Sequence, residues 1–336
     1  MNKKRVIRRG RIEQPKDEIK VSFEDAFEYF LTAKKSEGLR EKTIISHKEH
    51  YDFFVNWLKK AHVDIKYIDE ISAPLVREYI VFMKDERYNY KKKEIGLAPQ
   101  TINARIRFLK NFYNLLNKEQ MIDSNVLDQI KFLKTDETPF ELLTQDEMHS
   151  LLSMPDHAFY PQYRDYVMMM LLYDSGMRIS EAVNLEISEV DSASKRIVLP
   201  AHKIKTRKPK VIPLSSEIIR LLNGLIEENK GYFGEEKTQI FLTWMGESLK
   251  EDTFRRNLKR YVQKAGITKS FSCHDFRRQY CTEFLDSGGS LFALQAIVGH
   301  SEISTTRKYV RFDEEMIKNQ HELYSPVAKL RKGKKK

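Results

Sequence analysis

The fold assignment of this chain depends on the stretch Val298-Gly-His-Ser-Glu-Ile-Ser-Thr-Thr-Arg-Lys-Tyr309. In it a histidine, His300, is followed nine residues later by a tyrosine, Tyr309. With 9 His and 16 Tyr in 336 residues, this spacing arises by chance about 0.4 times, so on its own it indicates nothing. It becomes informative together with the patterns that precede it.

Three further patterns lie upstream in the same half of the chain. One surrounds an arginine, one is a basic turn between two predicted strands, and one is a His-x-x-Arg motif. They read Tyr173-Asp-Ser-Gly-Met-Arg-Ile-Ser-Glu-Ala182, Lys203-Ile-Lys-Thr-Arg-Lys-Pro-Lys210 and His274-Asp-Phe-Arg-Arg278. Each is weak alone, and their order, flanks and spacings together carry the information.

In this order the four patterns resemble the tyrosine recombinase (phage integrase) family, over roughly residues 20 to 325. The resemblance implies six active-site residues, which are Arg178, Lys205, His274, Arg277, His300 and Tyr309. Lys205 is chosen because it lies eight residues before Pro213, where the hairpin lysine of the family usually falls, and Lys203 competes with it. Small departures from the family pattern, such as Met177 in place of a commoner Leu, leave the six positions untouched.

These residue types suit a phosphodiester attacked by a hydroxyl. Two arginines can hold the nonbridging oxygens bidentately while staying charged at any working pH. Histidines can donate further hydrogen bonds, a phenol can hold DNA covalently, and a mobile lysine can protonate the departing oxygen. The arginines could instead form plain ion pairs, because Glu181 lies one helical turn from Arg178 and both Asp275 and Glu283 lie near Arg277.

Charge is distributed unevenly along the chain. The 59 Lys and Arg outnumber the 48 Asp and Glu, which gives a net charge of +11. Six basic residues lie in 1–11 and six in 325–336, so the remainder is nearly neutral at 47 against 48. A nucleic acid would therefore be held by local basic patches on the folded part of the chain. The two basic ends either add nonspecific phosphate contacts or are simply solvated.

Amphipathic stripes in the first half predict four helices that form a small bundle. A basic loop, 87–99, joins the third helix to the fourth. We expect this edge and the basic parts of the second half to contact DNA, although a charge run is often only a solvated face. The candidate DNA-binding residues are Lys91, Lys92, Lys93, Arg105, Arg107, Lys203, Arg207, Arg255 and Arg256.

The predicted fold is mainly α, with a small antiparallel β-sheet in the catalytic domain. An N-terminal helical core-binding bundle precedes a C-terminal α+β catalytic domain of the tyrosine recombinase type. A break in periodicity and a capping box at Thr144–Glu147 mark the boundary. The expected segments are a basic arm at 1–20, the bundle at 21–130, a linker at 131–143, the catalytic domain at 144–325 and a basic tail at 326–336.

Several classes of protein are excluded or disfavoured. No apolar stretch is long enough to span a bilayer and no secretory signal is visible, so we expect a soluble, cytoplasmic protein. The two cysteines, Cys273 and Cys281, offer neither a disulfide framework nor a metal knuckle. Neither a Walker motif nor a carboxylate cluster is present, and no cofactor or metal is expected.

The predicted function is site-specific DNA recombination, as an integrase or as the transposase of a mobile element, through a 3′-phosphotyrosyl intermediate without ATP or metal. The basic ends favour a mobile element slightly over Xer-type resolution of chromosome or plasmid dimers. A DNA-binding module that no longer cleaves and a type IB topoisomerase are competing functions. The expected partners are double-stranded recombination sites, further copies in a tetramer, and a possible directionality factor.

One sequence feature bears on assembly. Residues 313–323 put Met316, Ile317, Gln320 and Leu323 on one face of a helix just after Tyr309. This helix either folds back on its own domain or, as the resemblance suggests, docks into a neighbouring protomer on DNA.

Overall fold

A computed structural model describes residues 20–62, 64–90, 93–135, 141–204, 208–310 and 314–327. The chain divides into two compact units, unit 1 spanning Met1–Thr138 and unit 2 spanning Pro139–Lys336. Among the described residues, no helix is long and apolar enough to cross a membrane.

Among the residues that the structure describes, unit 1 contains four α-helices and one short hairpin. The helices are α1 (Phe23–Ser36), α2 (Glu41–Ala61), α3 (Ala73–Val81) and α4 (Pro99–Lys118). Between α3 and α4, strands β1 (Tyr88–Asn89) and β2 (Glu94–Ile95) pair antiparallel. The four predicted helices are therefore present, and part of the expected basic loop is a hairpin.

The sequence explains where these helices begin and how they pack. The side chain of Ser22 accepts a hydrogen bond from the Asp25 backbone N–H, and thereby caps α1. Aromatic rings fill the interior, and the ring of Phe27 stacks on that of Tyr51 with centroids 3.7 Å apart. The rings of Phe27 and Phe112 meet edge to face at 6.0 Å.

Unit 2 contains nine α-helices and a three-stranded antiparallel sheet among its described residues. The sheet has the order β3 (Val190–Asp191), β4 (Arg196–Leu199), β5 (Lys210–Pro213). The first helices are α5 (Gln145–Leu152), α6 (Tyr160–Ser175), α7 (Ile179–Val183) and α8 (Ser216–Phe233). They are followed by α9 (Glu251–Lys264), α10 (Cys273–Asp286), α11 (Leu291–Val298), α12 (Ile303–Arg307) and α13 (Glu314–Tyr324).

Two local signals in unit 2 set helix ends, and the first of them, the capping box, is predicted from the sequence. Thr144 and Glu147 form a reciprocal capping box at the start of α5. Gly176 ends α6 in the left-handed conformation, at φ 59°. A Cβ at Gly176 would lie 2.5 Å from the Tyr280 ring, so close packing as well as φ requires glycine there.

The sheet differs from the expected strand pair by one short strand. β4 and β5 pair with Ile197 opposite Ile212 and Leu199 opposite Lys210. The additional strand, β3, is only two residues long, too short for alternation to be visible in the sequence. On β5, Lys210 and Ile212 are buried and their neighbours exposed, so a lysine occupies an inward position.

Candidate active site

Arg178 lies at the junction of α6 and α7. It is the N-cap residue of α7 and follows the left-handed turn at Gly176. Its Nη1 donates to Oε1 of Glu181 at 2.9 Å, the ion pair anticipated from their spacing. The Arg178 side chain is about one-third exposed (32%), whereas that of Glu181 is only 6% exposed. One side of the guanidinium is thus held by a buried carboxylate while the side chain remains accessible.

Lys210 joins this site although no sequence pattern singled it out. Its Nζ lies 2.9 Å from Oε2 of Glu181, and its side chain is 4% exposed. Burial lowers the pKa of Lys210 to about 8, Glu181 opposes this shift, and the nearby Arg277 and Arg178 add to it. The signal available in the sequence was a lysine at an inward position of a strand, two residues before the buried Ile212.

Arg277 is fully buried in α10 and pairs with main-chain carbonyls. Nη1 donates to the Gly176 carbonyl and Nη2 to the Val298 carbonyl, each at 2.8 Å. The nearby carboxylates bind elsewhere, because Asp275 pairs with Arg278 and Glu283 accepts from Tyr173 and Gln279. Two carbonyls orient Arg277 without cancelling its charge. Burial and the neighbouring Arg178 lower its pKa, as expected where positive charge is concentrated.

The two histidines are neutral at physiological pH. Burial, followed by Arg277 and Arg178, lowers the pKa of His300 to about 4. Partial desolvation, with Arg278 and Arg277, also lowers the pKa of His274 at the start of α10. His300 Nδ1 lies 2.9 Å from Oγ1 of the fully buried Thr306. When that hydroxyl donates to Nδ1, the ring proton of His300 lies on Nε2, available to a ligand oxygen.

Tyr309 follows α12 and packs within a small apolar cluster. Its side chain is 8% exposed, and the cluster includes Cys281, Leu294 and Val298. The ring stacks on that of His300 with centroids 6.2 Å apart and an interplanar angle of 16°. Burial raises the pKa of Tyr309, and Arg277 acts in the opposite sense. The phenol is therefore protonated at neutral pH and lies within the field of the arginines.

The competing lysine, Lys203, is engaged by three acceptors. Its Nζ contacts Glu186 at 2.8 Å, Glu189 at 2.9 Å and the Asn184 carbonyl at 3.1 Å. Burial opposes protonation, but the hydrogen bonds to Glu186 and Glu189 raise the pKa of Lys203. Four predicted site residues lie outside the described residues: Lys91, Lys92, Lys205 and Arg207.

The other basic candidates differ in how available their charges are. In unit 1, Lys93 and Arg107 are exposed, whereas Arg105 is half-buried with its guanidinium 3.5 Å from the Phe53 ring centroid. In unit 2, Arg255 pairs with both Glu251 and Asp252. Exposed Arg256 donates to the Asp252 carbonyl and to the Thr253 hydroxyl, neither of which carries a formal charge. Among these residues, Lys93, Arg107 and Arg256 present the most accessible charge.

The model of the phage integrase family matches residues 141–316, more than half of the chain. The chain belongs to the phage integrase family. All six residues implied by the resemblance fall within the matched part. Of these, the structure brings together five, Tyr309 among them, and Lys205 lies outside the described residues.

Curated relatives of this phage integrase family member include the tyrosine recombinases XerD of Staphylococcus saprophyticus and Staphylococcus aureus. The first is 26% identical over 308 residues, covering 90% of this chain and 98% of that protein. The second is 26% identical over 305 residues with the same coverage.

Among solved structures, the Tn1549 transposon integrase in complex with transposon right end DNA has a TM-score of 0.70 at 20% identity. That match covers 90% of this chain and 99% of the other. The XerH recombinase bound to its difH substrate has a TM-score of 0.65 at 17% identity, covering 91% of this chain and 85% of the other. These likenesses show a shared fold, mainly helical with a small antiparallel sheet.

Proposed function

We propose that this protein is a site-specific DNA recombinase that cuts and rejoins duplex DNA through a covalent link to Tyr309. One observation carries the proposal. Arg178, Arg277 and His300 lie beside Tyr309, and both Lys210 and His274 lie close to His300. The carboxylate of Glu181 binds both Arg178 and Lys210. Such an excess of positive charge and donors suits a phosphodiester.

The arginines would bind the scissile phosphate. Each guanidinium has five N–H donors in a planar fork. Arg277 uses two of them on the carbonyls that orient it, and Arg178 uses one on Glu181. The remaining donors can hold the two nonbridging oxygens as their charge grows in the transition state.

Tyr309 would supply the nucleophile. Its oxygen attacks phosphorus, the bond from phosphorus to the 5′-oxygen breaks, and a 3′-phosphotyrosyl ester forms. The phenolic proton leaves with a base or with water, and one proton is returned to the 5′-oxygen. One phosphate ester replaces another, so the step needs no ATP, and the reverse reaction with a different 5′-hydroxyl rejoins the DNA.

The neutral histidines would complete the oxyanion site. A protonated Nε2 on His300 can donate to a nonbridging oxygen, and Thr306 holds the ring in that tautomer when it donates to Nδ1. His274, exposed at the start of α10, can donate to the same phosphate or accept the phenolic proton.

Lys205 remains our choice for the proton donor to the leaving 5′-oxygen. The competing Lys203 is bound by two carboxylates and a carbonyl at the base of the turn. A general acid must reach the leaving oxygen and release its proton, and both requirements conflict with an anchored lysine of raised pKa.

For the biological role we favour integration or transposition of a mobile element, supported by the basic residues at both ends of the chain. Dimer resolution is the second candidate, because XerD proteins match 90% of this chain. Tetramer formation on paired sites would use α13, whose Ile317 and Leu323 are 55% and 66% exposed. Met316 and Gln320, the other positions of that stripe, have side chains outside the described residues.

Covalent capture tests the nucleophile. A nicked suicide duplex made from the DNA flanking the gene should trap the wild type as an adduct that survives denaturation. Tyr309→Phe should abolish the adduct with little change in binding, since it removes one oxygen and no charge. Tyr324→Phe is the matched control, because Tyr324 is 64% exposed and also follows α12. An adduct that persists in Tyr309→Phe would move the nucleophile to another tyrosine.

A better leaving group tests the lysine. Lys205→Ala should slow cleavage of an ordinary phosphodiester strongly, and a 5′-bridging sulfur should restore the rate because sulfur leaves without a proton. Lys203→Ala should not be rescued by sulfur, since its loss leaves Glu186 and Glu189 unpaired rather than removing an acid. The reverse pattern would assign the role to Lys203. A two-site recombination assay run beside a supercoil relaxation assay separates recombinase from topoisomerase.

A further inference from the structure

Two large apolar side chains lie exposed at the tip of one turn in unit 2. Trp244 is 72% exposed and Met245 is 63% exposed, and they are adjacent in sequence. The other tryptophan of the chain, Trp57, is 6% exposed in unit 1. A single exposed apolar residue is ordinary, but an adjacent Trp and Met at a turn tip indicate a contact surface.

The turn that carries this pair is held by its own hydrogen bonds. The Thr243 backbone N–H donates to the Glu247 carbonyl at 2.6 Å, and the Gly246 N–H donates to the Thr243 carbonyl at 3.0 Å. The Thr243 hydroxyl also accepts from the Met245 N–H at 3.3 Å. At φ 74°, Gly246 provides the left-handed residue that the turn requires. The tip is therefore presented in a defined conformation.

A buried polar network ties the base of this turn to α9. Arg164, 3% exposed, donates to the Leu242 carbonyl at 2.7 Å and pairs with Asp165 at 2.7 Å. Asp165 in turn accepts from Asn257 at 2.8 Å and from Tyr261 at 3.2 Å, both on α9. These bonds cross-link the turn to the helix, so the apolar tip keeps a fixed relation to the charges on α9.

α9 carries a basic surface close to the candidate active site. Residues 243–264 contain six Lys and Arg against three Asp and Glu. Lys250, Arg256 and Lys259 are exposed there. α9 packs against α7, the helix that carries Glu181 and has Arg178 as its N-cap residue. The turn, the basic helix and the Arg178 end of the candidate site thus follow one another along unit 2.

We propose that the Trp244–Met245 turn is a DNA-contacting element, in which the apolar pair packs against the deoxyribose sugars of a duplex beside the phosphates bound by α9. The inference rests on the proposed function. Charge favours DNA over a second copy of the same surface. Two basic α9 faces would repel each other, whereas a polyanion attracts them and its sugars offer apolar surface to the ring of Trp244.

Tryptophan fluorescence reports the contact directly, because the chain has only two tryptophans. In a Trp57→Phe protein all tryptophan emission comes from Trp244. Adding a 30-bp duplex of mixed sequence at low salt should quench this emission and reduce its accessibility to acrylamide. In the complementary Trp244→Phe protein the same duplex should leave the emission of the buried Trp57 unchanged.

Affinity provides the second measurement. Trp244→Ala should weaken binding of that duplex by about tenfold, which corresponds to ~1.4 kcal/mol. Circular dichroism should remain unchanged, since the side chain lies in solvent. Tyr232→Ala is the matched control, because Tyr232 is 68% exposed on α8, and it should bind as the wild type does.

The outcomes separate the inference from the function on which it rests. Unchanged Trp244 emission and affinity in a protein that still binds and cleaves DNA would overturn the inference alone. A change that appears only when two DNA-bound copies associate would also overturn it, since it would assign the turn to a protein interface. If the chain binds no duplex under any condition, the inference and the proposed function fail together.

Discussion

Replacing Glu181 by glutamine should destabilise unit 2 by an amount that depends on pH. In the wild type, the carboxylate lies 2.9 Å from both Lys210 Nζ and Arg178 Nη1. The Gln side chain has a similar volume but no charge, so the ammonium of Lys210 loses its counter-ion inside the protein. A buried ammonium without a counter-ion releases its proton, and that release limits the cost of the substitution.

The magnitude follows from the pKa of Lys210. Burial lowers this pKa from 10.5 to about 8, so Lys210 is charged at pH 7 in the wild type. Releasing the proton costs about 1.4 kcal/mol for each pH unit below 8. The Lys210 part of the Glu181→Gln cost is therefore at most about 1.4 kcal/mol at pH 7 and about 2.8 kcal/mol at pH 6.

The direction of the pH dependence follows from linkage. Between pH 6 and 8, Lys210 of the variant is neutral when folded and charged when unfolded, so the unfolded state binds more protons. The stability of the variant should then rise with pH, whereas Lys210 adds no slope to the wild type below its folded pKa. The two curves should converge toward pH 8, apart from the partly exposed Arg178 pair, which contributes about 1 kcal/mol or less.

Urea unfolding of the full chain at pH 6, 7 and 8 gives the free energy of unfolding of the wild type and of Glu181→Gln. The two values are compared for the unfolding transition that the substitution shifts. Adding Lys210→Met to Glu181→Gln should remove the slope, because no lysine remains to titrate. Lys210→Met alone should also destabilise, because it removes one partner of a buried ion pair and leaves the Glu181 carboxylate paired with the partly exposed Arg178. That cost should not vary between pH 6 and pH 8, because no lysine titrates there. A Glu181→Gln cost that is the same at pH 6 and pH 8 would refute the reasoning.

Three further outcomes are expected. Thr306→Val removes the hydroxyl 2.9 Å from His300 Nδ1, and it should slow covalent capture about tenfold without weakening DNA binding. Equal capture rates in the wild type and the variant would show that Thr306 does not position His300. Gly176→Ala should destabilise by about 2 kcal/mol in thermal unfolding and impair cleavage, because φ 59° is unfavourable for alanine and the Gly176 carbonyl orients Arg277. Truncation after Phe312 should abolish cooperative assembly on paired sites and leave half-site binding intact; if instead the truncated chain melts much earlier without DNA, α13 belongs to its own core.

The family and the general fold were accessible from the sequence because they are encoded locally. Helix starts at Ser22 and Thr144 depend on groups three residues apart in the chain, and both caps are present in the structure. The left-handed end of α6 at Gly176 is equally local. The order of the four motifs identified the family without any contact being known, because a motif preserves residue type and spacing.

Other features depended on distances that no local pattern contains. From the sequence, both Arg178 and Arg277 could either pair with a nearby carboxylate or remain available to bind a phosphate. The structure pairs Arg178 with Glu181 and turns Arg277 toward the carbonyls of Gly176 and Val298, 101 and 21 residues away in the chain. A hydrogen bond between residues that far apart depends on how whole helices pack, which spacing along one helix does not determine.

Lys210 illustrates the same division. The sequence placed it in a basic turn, where every lysine appears equivalent. Strand alternation on β5 buries Lys210, and the packing of β5 near α7 brings its ammonium to Glu181, 29 residues away. Lys203 is likewise bound by Glu186 and Glu189, and these contacts also depend on how separate elements pack. By itself the sequence determined which residue types are present and where the longer helices and the β4–β5 pair lie, but not the two-residue strands. Only the tertiary structure decided which charges are neutralised, because Coulomb energy depends on separation and burial in space.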